Sequence, residues 1–369
     1  VGSEMCIRDS YASDLESTER CEGRGKVIKE KAPELRRRKG KTKKIKVTIF
    51  GFKIWVVWDQ LSGLPIAMRF STIETNDIIF AQEVIEQAIT NLGKYAKISS
   101  IAMDRGFTDG KLLWWLNKQN IIFYIPAKSS LKVYEDALSL VETGEKATRS
   151  TTRMTGHGKD SKQVTDTWEV VGIEGLTSAG FYGELGSGSH ENRKDFEPNL
   201  INAVVVLHDP YKEKNPNIKT MVILTNGQVN KPMNVYDGYD ARSEIENSLF
   251  RESKQGWFIK GPPKNSKAGF RIHAYLTIMT MALTTAFRDW MVQQDEIDDE
   301  GEDTGIRKFR QKIRTENADK CIVFYGDHYG IFYLYEILIL SGTNVLKPHG
   351  IPDNISREDI LRTHGVPPD

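Results

Sequence analysis

Two periodicities divide this chain. From Lys44 the apolar positions recur every second residue. Ile45, Val47 and Ile49 alternate with Lys46, Thr48 and Phe50, and the run continues through Phe52-Lys-Ile-Trp-Val-Val-Trp58. That period predicts a long strand. Asp59-Gln-Leu-Ser-Gly63 supplies turn residues, and Leu64 to Phe70 returns as the hairpin partner. The period then lengthens. Asn76-Asp77 offers an N-cap for an amphipathic helix over Ile78 to Leu92. Ile98 to Met103 predicts a strand, Asp109-Gly opens a helix over Lys111 to Gln119, and Ile121 to Ile125 predicts a buried strand. Strand, helix and strand with short links imply a right-handed parallel crossover.

The texture changes from Lys128 to Val235, which is rich in Gly, Ser, Thr and Asn. Strand-like runs stand at Thr167 to Ile173, Ile201 to Leu207 and Thr220 to Thr225, so residues 129–235 read as a β-rich insertion. Helical pattern returns at Tyr239 and runs to Gly256. A long apolar helix follows over Ala268 to Met291. Residues 236–294 thus close the core that residues 11–128 began. Asp295 to Asp303 carries seven acids in nine positions and reads as a solvated linker. It leads to a tail region with one strongly apolar stretch, Phe332 to Leu340. The fold class expected is α/β, a mixed sheet with flanking helices.

Charge alters this picture in one place. The formal net charge is +1, which says nothing about partners. Arg24 to Lys46, however, holds twelve Lys or Arg against Glu30 and Glu34, and is otherwise poorly periodic before Lys44. Its densest part is Arg36, Arg37, Arg38 and Lys39. Such a run is commonly an exposed flexible segment; it is also the electrostatic footprint of a nucleic-acid contact. The three cysteines are too scattered for a disulfide framework or a zinc site. The apolar helix Ala274 to Phe287 is too short to span a bilayer. Val1 to Ser10 reads as the conceptual translation of a sequencing-library adapter. It is set aside, and the natural first strand is expected to be cut through.

Two carboxylates carry the candidate chemistry. Asp104 ends the apolar run Ile98-Ser-Ser-Ile-Ala-Met103, at the sheet edge where side chains converge on ligands. Gly106, just after it, would allow a sharp turn. Glu246 lies in the helical stretch beginning at Tyr239, where spacings of three and four put Tyr239, Arg242 and Glu246 on one face. Magnesium takes oxygen ligands and keeps waters, so two or three such carboxylates suffice for two-metal phosphodiester cleavage. Taken singly, each residue has an ordinary reading. An Asp after a strand commonly caps a turn, and an Arg and a Glu four apart commonly form a solvated ion pair. Trp114-Trp115 and Trp168 read as core, and Gly186-Ser-Gly-Ser-His190 as a loop.

Together the pieces resemble the DDE transposases of bacterial insertion sequences, in the cut-and-paste group with a β-rich insertion before the final glutamate. The resemblance covers about residues 12 to 291. Tyr239, Arg242, Glu246 and Lys254 look like that group's tyrosine, arginine, glutamate and lysine motif, and Asp104-Arg-Gly-Phe107 like the segment carrying its second aspartate. Two departures stand out. The group's lysine usually follows the glutamate by seven residues, whereas Lys254 follows Glu246 by eight. The first aspartate belongs on a strand before the hairpin, where the sequence offers Asp14, or Tyr11 at the motif position. Asp59 ranks lower because it sits in turn chemistry.

The resemblance implies a ribonuclease-H-like core. It implies two Mg2+ ions, with Mn2+ able to substitute, held by Asp104, Glu246 and Asp14. It implies DNA cleavage at transposon ends followed by strand transfer into target DNA. Tyr239, Arg242, Lys254 and the basic run would contact DNA. A DNA-bound homodimer, no membrane, and a bacterial cytoplasmic location at the nucleoid follow from the same likeness. A nuclease without strand transfer and a catalytically dead DNA-binding relic are the alternatives.

Overall fold

The computed structural model describes residues 2–7, 14–31, 45–155, 162–176, 201–210, 220–243, 245–262, 264–293, 319–325, 328–342 and 355–365, with isolated positions at 178, 309, 311 and 315. Residues 1–286 form one compact unit and residues 287–369 a second.

The first unit opens with β1 (Gly2–Ile7), β2 (Asp14–Glu16), β3 (Gly25–Lys31), β4 (Ile45–Asp59) and β5 (Leu64–Thr72). α1 (Ala81–Leu92), β6 (Lys97–Met103), α2 (Gly110–Lys118), β7 (Ile122–Pro126) and α3 (Lys132–Ser139) follow. β4 pairs antiparallel with β5 and with β1; β1 runs parallel to β6, and β6 parallel to β7. This order, hairpin first and parallel strands after, is the ribonuclease-H-like arrangement expected. The β-rich segment adds β8 (Glu145–Thr155), β9 (Lys162–Leu176), β10 (Ile201–His208) and β11 (Met221–Thr225). It extends the same sheet, because β11 pairs antiparallel with β7.

Alternation along β4 divides the core. Trp55 and Val57 face one side, where they pack with α1 through Val84 and Ile85, with α2 through Leu112 and Leu116, and with α3 through Val133. Phe52, Ile54, Val56 and Trp58 face the other, under the helices of the last part of the unit. The helix starts follow local chemistry. Asn76 accepts a hydrogen bond from the Ile78 N–H, and Asp109 accepts one from the Leu112 N–H, as N-caps do. The helix expected from Ile78 begins as a 3-10 turn, Asp77–Phe80.

Several expectations change. Residues 11–43, read as irregular, contain β2 and β3; β3 pairs with the first half of β4 through backbone bonds while Ile28 stays exposed. Backbone pairing of this kind leaves no burial pattern to read. Gly2–Ile7, set aside as adapter-like, occupies the slot between β4 and β6. That slot requires an extended backbone, and ladder hydrogen bonds are indifferent to side chains. β8 gave no signal because most of its residues are exposed. The last part begins with α4 (Pro232–Asp240), seven residues before Tyr239. The helix expected from Tyr239 to Gly256 is broken into a turn, a π-helical segment Ile245–Phe250, and α5 (Arg251–Gln255). α6 (Lys267–Gln293) matches the expected apolar helix.

The second unit pairs β12 (Lys320–Tyr325) with β13 (His328–Tyr333), then forms α7 (Leu334–Leu340) and α8 (Arg357–Thr363). The apolar stretch from Phe332 to Leu340 is thus divided between the end of β13 and α7. Among the described residues, no helix is long and apolar enough to cross a membrane.

Candidate nucleic-acid and metal site

Asp104 stands where β6 ends. Its carboxylate accepts a hydrogen bond from the Arg105 N–H at 2.8 Å through Oδ1, capping the 3-10 turn Arg105–Phe107. Oδ2 has no hydrogen-bond partner among the described residues, and the side chain is half-buried. The carboxylate therefore does cap a turn, as the ordinary reading held, yet keeps one oxygen for a ligand. Gly106 makes this turn without a positive φ, so the turn does not depend on glycine there.

α4 is set on the sheet by a close approach. A Cβ at Gly238 would lie 2.7 Å from Cε2 of Tyr124 on β7. The bare glycine thus lets α4 settle on that ring, and Val235, Tyr236 and Tyr239 bury among Trp168, Val170, Val204 and Ile223. Gly238→Ala tests the fit. Better helix propensity would favour alanine by about 1 kcal/mol. Overpacking against a rigid ring costs roughly 1–3 kcal/mol, so the net expectation is destabilisation by about 1 kcal/mol. Urea unfolding measures it; an unchanged or raised midpoint would refute the packing argument.

Beyond α4 the chain turns. The Arg242 N–H donates to the Tyr239 carbonyl at 3.1 Å, and the Ile245 N–H to the Arg242 carbonyl at 3.2 Å. The Arg242 guanidinium lies 5.1 Å from the Tyr239 ring centroid. Its Nε and Nη1 are buried without a hydrogen-bond partner among the described residues. Buried donors left unsatisfied cost about 1–3 kcal/mol, more when charged, and an anion with two oxygens would relieve that cost. Tyr239 itself is 6% exposed. It lies in the core with the Arg242 guanidinium over its ring.

The π segment then buries Ile245, Leu249 and Phe250 against Leu15, Phe52, Ile54 and Phe70. α4 covers the β7–β10 half of the sheet, and the π segment covers the β4–β5 half. The strand order puts β1 and β6 between these halves, so the connection through Arg242 crosses the two central strands. Glu246 follows the buried Ile245 at once; its side chain lies outside the described residues. Lys254 is half-buried on α5.

The remaining assignments separate by register. Ile7 on β1 pairs with Met103 and with Val57, while Asp14 pairs with Lys53. Four residues along β4 separate these rows, about 13 Å at strand rise. The row of Asp104 on β1 falls at position 8, and residues 8–13, Tyr11 included, lie outside the described residues. So do Arg36, Arg37, Arg38 and Lys39. Asp59 is level with Met5 and hence with Ile101, three residues before Asp104. Its Oδ2 accepts from the Ser62 N–H and Oγ–H at 3.1 and 2.6 Å, which is turn capping. Among the described residues no cluster of three or more His, Cys, Asp or Glu side chains is placed to hold a metal ion. Trp168 is core, as read, with the Arg149 guanidinium 5.1 Å from its ring. Two features escaped the sequence reading: the π segment and the partnerless Arg242 nitrogens. The eight-residue Glu246-to-Lys254 spacing was the one sequence trace of the first.

Residues 20–284 match the family described as Transposase DDE domain. Among similar solved structures is a piggyBac transposase in a cryo-EM synaptic complex with hairpin DNA, at 12% identity and a TM-score of 0.47 over 86% of this chain and 52% of that one. The chain thus spans about half the length of that transposase. No curated protein matches.

Proposed function

Because the chain belongs to the Transposase DDE domain family, we propose that it cuts DNA at the ends of a mobile element and joins those ends to target DNA. One observation carries this reading. Asp104 ends the central parallel strand with one oxygen that has no hydrogen-bond partner among the described residues, and the segment crossing that strand pair holds an arginine whose two buried nitrogens find no acceptor among them. Asp104 and Glu246 are assigned as carboxylates that hold two Mg2+ ions, Mn2+ being able to substitute on the same oxygen donors. Asp14, whose row on β4 is that of Lys53 and not the Val57 row level with Met103, is set apart from them and is the third candidate that mutation has to decide. Metal bound there supplies Lewis acidity to the attacking and leaving oxygens of an in-line displacement.

The chain's own groups have separable tasks. Arg242, fixed on Tyr239, pairs with a phosphate and sets its orientation. Lys254 adds a second cation to the same strand. Arg36 to Lys39 hold flanking DNA by charge alone. Two element ends must meet in one complex, so a DNA-bound homodimer is the assigned assembly. A bacterial insertion sequence is the assigned source.

Incubation with Mg2+ and DNA carrying the inverted repeats that flank its gene tests the reading. Release of ends bearing 3′-hydroxyls, and their joining to a second DNA, is expected. Cutting without joining of pre-cut ends would replace it with a nuclease; salt-sensitive binding without nicking would replace it with a DNA-binding relic. Arg242→Gln is expected to flatten the slope of log affinity against log salt by about 0.9, the loss of one phosphate contact. An unchanged slope in fluorescence-anisotropy titrations would remove Arg242 from the DNA interface.

A further inference from the structure

Residues 246 and 254 are eight apart. In an unbroken α-helix each residue turns by about 100°, so eight steps would leave these positions about 80° apart around the axis. The intervening chain is not an unbroken α-helix, since Ile245–Phe250 is π-helical. Bonding from i to i+5 gives roughly 4.4 residues per turn, or about 82° per residue. Four such steps to Phe250 and four α steps through α5 total about 728°, which brings Lys254 to within about 10° of position 246.

The burial pattern agrees independently. Ile245, Leu249 and Phe250 share one apolar cluster, each at most 3% exposed. Their offsets of four and five would spread to about 140° in an α-helix, but stay within about 50° of Ile245 in the π geometry.

We propose that the π turn is a register device: it absorbs one residue between Glu246 and Lys254 and returns the lysine to the face that carries the glutamate. Lys254 thereby holds the DNA phosphate next to the one that the metal site at Glu246 would engage. This rests on the function proposed above. Removing one residue from the turn should convert it to α-helix with the face preserved. The pair would then be seven apart, about 20° off. Ile245, Leu249 and Phe250 would fall at offsets of three and four, still on one side.

The test compares the full chain with its Asn247 deletion, each with and without Lys254→Ala, on end-bearing DNA. The deletion is expected to keep cleavage within about threefold and to keep the salt slope of DNA binding. Lys254→Ala is expected to lower cleavage at least tenfold and to flatten the slope by about 0.9 in both backgrounds. Moving the lysine to exposed position 255 (Lys254→Ala with Gln255→Lys) should restore neither. A folded deletion variant that loses as much as Lys254→Ala would overturn the proposal. Failure of both the Asn247 and the Ser248 deletion to fold, judged by thermal melting, would also overturn it, since a register device must tolerate its own removal. If the parent binds DNA but does not cut it, the function reading fails while the binding slopes still decide the register.

Discussion

Replacing Glu246 by Gln is expected to lower DNA cleavage by about a thousandfold while leaving DNA affinity within about twofold. The neutral amide keeps the size of the side chain, so folding is little affected. What it loses is the negative charge that a divalent cation requires. The effect belongs to the chemical step, because charge stabilisation of developing oxyanions is worth about 2.7–4 kcal/mol per well-placed group. Binding is expected to survive because the phosphate contacts proposed above lie elsewhere, at Arg242, Lys254 and the basic run. Asp104→Asn should behave in the same way. Plasmid nicking in Mg2+ gives the rate, and anisotropy titration gives the affinity. Wild-type cleavage by either variant would show that the carboxylate holds no metal. Asp14→Asn in the same assay locates the first ligand: a comparable loss assigns it to Asp14, and wild-type activity moves it into residues 8–13.

Phe52→Ala is expected to destabilise the first unit by about 3–5 kcal/mol, the usual range for deleting a buried phenylalanine. That is a large share of the roughly 5–15 kcal/mol by which domains are stable. Phe52 is fully buried, 5.1 Å from the Phe70 ring and 5.0 Å from the Phe270 ring. It therefore joins β4 and β5 to α6, and it touches the cluster on which the π turn rests. The aromatic contacts add about 0.5–1.5 kcal/mol per pair beyond area alone. Cleavage should fall at temperatures where the protein is still folded, because the surface beneath Ile245 and Leu249 loosens. Urea unfolding of both proteins gives the difference. A loss below about 1 kcal/mol would mean that the cluster is not what holds α6 and the π turn to the sheet.

Much of the framework was readable before any coordinates. The strand ending at Asp59, its hairpin partner, the helix capped at Asn76 and the β6–α2–β7 crossover all came from period and capping residues. Those signals are local: a strand that buries one face must alternate, and a helix start must satisfy its free N–H groups. β3 and β8 were invisible for the complementary reason. They are held by backbone bonds to β4 and β9; most of β8 is exposed and Ile28 of β3 faces solvent, so no burial pattern marks them.

The candidate site divides along the same line. Residue types and their order were enough to single out Asp104, Arg242 and Glu246, because metal binding needs carboxylates and phosphate binding needs a fixed cation, whatever the fold. Tertiary packing decided the rest. It buried Tyr239 and set the Arg242 guanidinium over its ring. It engaged one oxygen of Asp59 in its turn. It replaced the expected continuous helix with a π turn, because Ile245, Leu249 and Phe250 reach one apolar surface only if the helix is unwound there. The chain's own pattern determines what each segment can become; which faces meet, and so which polar groups are left without partners, depends on how distant segments compete for the same buried space.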